Sequence, residues 1–91
     1  MRLKKLGNNM HELQVSNKLV ILFSYETPVA VRKNALLHFS YYITQEEYSP
    51  TTTRHIEDWL LGDPRRDKDE KPMVVAQIWI DSLLWDSRWV R

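Results

Sequence analysis

Residues 19–31 read LVILFSYETPVAV, and the fold turns on how this stretch is taken. In an extended chain Leu19, Ile21, Phe23 and Tyr25 fall on one side, and Val20, Leu22 and Ser24 on the other. A strand that is apolar on both sides belongs in the interior of a sheet, covered above and below. Pro28 lacks the N–H that a ladder needs, so it should interrupt the pairing or mark a bulge, with a short strand resuming at 29–31. Upstream, Leu13 and Val15 alternate with Glu12 and Gln14, the period of a half-buried strand. GNN at 7–9 and SNK at 16–18 read as turns, since Gly and Asn tolerate positive φ. Downstream, RKNA at 32–35 reads as a hairpin turn. LLHFSYYIT then forms a second clear strand, with Leu37, Phe39, Tyr41 and Ile43 on one face and Leu36, His38, Ser40 and Tyr42 on the other.

The next segment, SPTTTRHIEDWL at 49–60, predicts a helix. Ser49 can cap it, and Pro50 is tolerated at the first helical position because its missing N–H would be unpaired there anyway. Thr52, Ile56, Trp59 and Leu60 share one stripe, and Gly62 and Pro64 supply the stop. DPRRDKDEKP at 63–72 holds four acidic and four basic side chains and reads as a solvated loop. In the tail, Val74, Ala76, Ile78 and Ile80 alternate as in a strand, while Val75, Trp79 and Leu83 trace a helix. A brief strand at 73–75 and a helix from about 76 to 86 reconcile the two patterns. The expected fold is α+β: a small antiparallel sheet of three to four strands packed by one helix, plus a C-terminal helix. Residues 1–91 form a single domain, with a sheet-plus-helix core at 1–61, a charged loop at 62–72 and a Trp-rich element at 73–91.

Composition removes several chemistries. The chain has no cysteine, which excludes disulfides, thiolate nucleophiles and Cys-ligated zinc. His11, His38 and His55 stand far apart with no metal-ligand spacing, so no metal and no cofactor is expected. Two glycines cannot build a phosphate-cradling loop. No apolar run approaches the ~18 residues that span a bilayer, so a cytoplasmic location is expected. The net charge is +1, but residues 1–35 carry six Lys/Arg against two Glu, and the remainder seven against ten Asp/Glu.

His55 is the polar residue with most to offer. On a helix it lies one turn from Thr51 and from Trp59. It can serve a ligand site with Arg54 and the threonine hydroxyls, or pack on Trp59 while bonding a loop carbonyl. The second reading carries more weight. A Thr51–His55–Asp58 triad fails because Asp58 would draw the imidazole away from the cap. Glu46-Glu47 and Glu57-Asp58 are sequence neighbours that point apart, so no acid/base pair and no enzyme activity is expected. Trp85, Arg88 and Trp89 follow the last apolar stripe. Arg and Trp are enriched at binding hot spots, so these three are the expected partner-binding residues, with folding back to cover the sheet as the equal alternative.

Two of these segments also resemble a known family. Tyr25, Thr27, Val29 and Ala30, then Thr52, Thr53, Arg54 and His55, form a Tyr-x-Thr-x-Val-Ala … Thr-Thr-x-Lys/Arg-His pattern. It is similar to that of short uncharacterised proteins encoded by bacteriophages and other mobile elements, and covers residues 1–61. The resemblance implies a phage or prophage setting. Within that setting, the expectation is an accessory protein in the cytoplasm of the host cell that binds, and so inhibits or modulates, a host or defence macromolecule: a protein or a protein–nucleic-acid complex. Homo-oligomerisation is left open. The strand end and helix start could meet, gathering Tyr25, Thr27, Thr52, Arg54 and His55 into one polar cluster. The runner-up reading is nucleic-acid binding through Lys4, Lys5, Lys18, Arg32, Lys33 and Arg54.

Overall fold

The computed structural model describes residues 2–34, 39–63 and 71–84. Its strands are β1 (Arg2–Gly7), β2 (Met10–Ser16), β3 (Leu19–Ser24), β4 (Thr27–Asn34), β5 (Phe39–Thr44) and β6 (Met73–Val75). Two helices, α1 (Pro50–Leu61) and α2 (Gln77–Leu83), complete it. The strands form one sheet in chain order; β1 to β5 are antiparallel, and β6 joins β5 in parallel. A parallel neighbour needs a long crossover, and α1 provides it.

A mixed six-stranded sheet replaces the expected antiparallel sheet of three to four strands. Three local causes account for the difference. β1 has almost no buried side chain, so RLKKLG shows no alternation. β4 does not end at Val31: Arg32, Lys33 and Asn34, expected in a turn, pair with Tyr41, Ser40 and Phe39. β6 is the brief strand expected at 73–75, but its place in the sheet, parallel to β5, depends on the crossover rather than on its own sequence.

Several expectations hold. β3 lies inside the sheet, and Leu19, Val20, Ile21 and Leu22 are buried. Pro28 does accompany a bulge. Phe23 pairs with Pro28 and Leu22 with Ala30, which leaves Val29 between the pairs. Val29 thereby packs in the same cluster as Ala30. The turns fall at Asn8-Asn9 and Asn17-Lys18, and Asn9 takes the left-handed φ of 58° that asparagine tolerates.

The sheet is covered on both faces. On one, Met10, Val20, Leu22, Val29, Ala30 and Tyr41 pack against Trp59 and Leu60 of α1. On the other, Val15, Leu19, Ile21 and Val31 pack against Ile80 and Leu83 of α2. Both clusters need β3 and β4, so the two helices clamp one central hairpin.

Ser49 caps α1 as expected, its Oγ accepting the Thr52 N–H at 3.1 Å. Gly62 ends the helix with φ −80°, so its left-handed freedom is not used there. A methyl at that position would instead come within 3.0 Å of the Asp58 carbonyl oxygen. Ser49→Ala is expected to cost about 1 kcal/mol, read as a lower urea midpoint with unchanged slope.

Candidate functional site

Ser24 ends β3 on the face that α1 covers. Thr52 and His55 are three residues apart on α1, so both point at it. Ser24 Oγ lies 2.9 Å from Thr52 Oγ1 and 2.7 Å from His55 Nδ1. Ser49 Oγ donates to Thr52 Oγ1 at 3.2 Å. The donor order runs from Ser49 through Thr52 and Ser24 to Nδ1 when each hydroxyl passes its hydrogen forward. His55 Nδ1 is then the acceptor and Nε2 carries the imidazole hydrogen. Ser24, Thr52 and His55 are all buried, Ser24 to 1% exposure. A hydroxyl so enclosed satisfies its neighbours and presents no surface to a substrate.

Tyr25 forms the lid of this cluster. It occupies the β3–β4 turn with φ 58°, a conformation that a bulky residue adopts only under constraint. The constraints are visible. Its N–H donates to the Asn9 carbonyl at 2.6 Å, and its ring lies tilted over the His55 ring at 6.1 Å. Tyr25 was expected as a strand residue on the face opposite Ser24; the turn instead swings its ring to the α1 side. His55 packs on Tyr25 and bonds Ser24, not Trp59 and a loop carbonyl as expected. Trp59 stacks edge-on against Tyr41 at 6.1 Å and donates Nε1–H to Glu12 Oε1 at 2.9 Å.

Of the five residues expected in the polar cluster, Tyr25, Thr52 and His55 meet. Thr27 pairs with Ser24 in the ladder, but its hydroxyl stays outside the chain of bonds. Arg54 is exposed. Ser24, the hub, was not singled out. The one signal available was a serine closing an otherwise apolar strand on the α1 face. Trp85, Arg88 and Trp89 lie outside the described residues, as do Leu36, Leu37, His38 and most of the charged loop.

Beside the cluster, β1, β2 and α1 wall an open groove of about 1400 Å³. His55 and Trp59 line it from α1, together with Thr51, Arg54 and Asp58. Arg2, Lys4, Glu12 and Gln14 line it from the sheet. Both signs of charge are thus present on both walls. At one end, Arg32 Nη1 and Tyr41 Oη both donate to Asp63 Oδ2, at 2.9 and 2.7 Å. Away from the groove, the Tyr48 phenol is held above its usual value of 10.0 by desolvation and then by the negative charges of Glu46 and Asp81. It therefore stays neutral at pH 7. Among the described residues no three metal-ligating side chains converge, and no helix is long and apolar enough to cross a membrane.

The basic residues of the runner-up reading do not form one surface. Lys4 and Arg54 line the groove, and Arg32 is held by Asp63. Lys33 lies on the opposite face, 4.8 Å from the centre of the Trp79 ring, and Lys18 sits in a turn.

No curated protein and no solved structure matches this chain. A model of a family of unknown function, DUF8033, matches residues 1–76, which takes in all six strands and α1. With most of its length so covered, the chain belongs to the DUF8033 family.

Proposed function

We propose that this is a phage-type accessory protein that acts by binding a host or defence macromolecule, and that the partner is a protein seated in the groove between the β1–β2 ribbon and α1. The observation that carries this reading is the groove itself: wide, open, and lined by Arg2, Lys4 and Arg54 together with Glu12 and Asp58. Walls of mixed sign suit a polypeptide, which carries both charges, better than a phosphate backbone, which carries one. The neighbouring Ser–His pair supports binding over catalysis, because its serine is closed to solvent. The phage setting rests on the sequence resemblance.

Affinity capture from a bacterial lysate tests the proposal with three chains: wild type, Thr51→Trp/Arg54→Glu, and a chain ending at Leu84. The tryptophan would fill the groove from α1 without touching the core, since Thr51 is exposed. A protein captured by the wild type is expected to be lost from the groove variant. If the groove variant retains it and the truncated chain loses it, the contact surface is Trp85, Arg88 and Trp89 instead. A companion titration with DNA and RNA is expected to give weak binding even at low salt. Tight binding that collapses as salt rises would replace this reading with the nucleic-acid one.

A further inference from the structure

We infer that β1 is a docking edge for an acidic, extended segment of a partner protein, which adds to the sheet as a further strand. The inference rests on the binding reading above and names the kind of segment that β1, one wall of the groove, would take. Among the described residues β1 pairs with β2 alone, so its outer backbone groups face no strand. Five of its six residues are exposed, including Leu3 at 65%. It carries Arg2, Lys4 and Lys5 and no acid, and none of the three is ion-paired among the described residues.

Charge selects the occupant. A second copy pairing antiparallel through its own β1 would set lysines against lysines, and like charges directly opposite destabilise a strand pair. Edge lysines block that self-association. The same lysines favour a foreign strand of opposite sign. Lys4 pairs with Glu12 and Lys5 with His11, so neighbouring lysines flank the edge on opposite faces of the sheet. A complementary strand therefore carries adjacent acids, one for each face, with apolar neighbours to meet Leu3 and Leu6. The register slips between Lys5 and Gly7, so regular pairing extends over Arg2–Lys5 and ends at Leu6. Strand addition of this kind takes affinity from main-chain hydrogen bonds and specificity from side chains.

The probe is a short fluorescent peptide with a Val-Glu-Glu-Val centre, read by fluorescence anisotropy against the full chain. Binding is expected, with amide shifts in labelled protein concentrated at residues 2–7. Lys4→Glu/Lys5→Glu, both exposed and remote from the core, should weaken it at least about tenfold. The Val-Gln-Gln-Val analogue should be weakened similarly. Backbone N-methylation separates strand addition from bulk attraction. Methylating one alternate set of peptide nitrogens should abolish binding, and methylating the other set should leave it. Equal tolerance of both patterns, equal binding of the glutamine analogue, or no binding at all would each overturn the inference. So would an oligothymidylate competing as well as the peptide. Peptide binding that survives Thr51→Trp/Arg54→Glu upholds the β1 edge even where lysate capture has excluded the groove. A lysine variant that captures the protein partner as well as the wild type does would show that the partner does not use the edge, which would sink the edge and spare the groove.

Discussion

Asp63→Ala is expected to lower unfolding free energy by about 3 kcal/mol, a large part of what so small a domain possesses. Arg32 and Asp63 form a buried ion pair, their side chains only 10% and 7% exposed. Removing the carboxylate leaves a guanidinium in the interior without its counter-charge, and takes the acceptor at Oδ2 from Tyr41. Arg32 Nε would keep its 3.1 Å bond to Asn34 Oδ1, but that neutral contact does not offset the lost charge. Deleting both partners should be milder. Arg32→Met/Asp63→Leu is expected to recover most of the loss, because a buried pair and a well-packed apolar pair of similar volume often differ little. Urea unfolding followed by tryptophan fluorescence checks both chains. An Asp63→Ala midpoint indistinguishable from wild type would mean that water reaches the pair and screens it.

Ser24→Ala is expected to cost about 2–3 kcal/mol although it removes a single oxygen. That oxygen bonds both Thr52 Oγ1 and His55 Nδ1 inside the protein; its loss strands Nδ1 and takes the acceptor from the Thr52 hydroxyl, which keeps only the bond donated by Ser49. The effect should not be additive. Once Thr52 is valine, the hydroxyl that would lose its acceptor is gone, so Ser24→Ala should cost about 1 kcal/mol less in that background. A double-mutant cycle on urea midpoints measures this coupling. A loss below about 0.5 kcal/mol for Ser24→Ala would show that the cluster is wet and contributes little to the fold. In that case His55 and the groove would have to be reconsidered as a reactive site.

Tyr25 illustrates how local pattern and tertiary context part company. Alternation assigned it to the face of Leu19, Ile21 and Phe23. The chain turns one residue earlier, at Ser24, and the Asn9 carbonyl and the His55 ring hold Tyr25 in a backbone region that its own propensity disfavours. Ser24 became the hub of the cluster for the same reason. A serine at the end of a strand has no distinguishing signal until a helix from elsewhere in the chain is laid across it.

The sequence by itself determined the elements whose residues solve their own local problem. Leu19 to Leu22 are apolar on both sides and can only be covered on both sides. Pro28 cannot donate to a ladder and so imposes a bulge. Ser49 and Pro50 start α1, and Thr52, Trp59 and Leu60 give it a buried face. The tertiary structure decided what depends on a partner distant in the chain. β1 has too few apolar side chains to announce itself, and is a strand because β2 offers it an unpaired edge. β6 was legible as a strand at 73–75, but it lies parallel to β5 because α1 returns the chain there. The groove belongs to the same class, since its walls come from β1–β2 and from α1, which are distant in the chain. Periodicity reports burial within a segment, whereas an edge pairing or a groove wall is set by backbone groups and distances that no single segment contains.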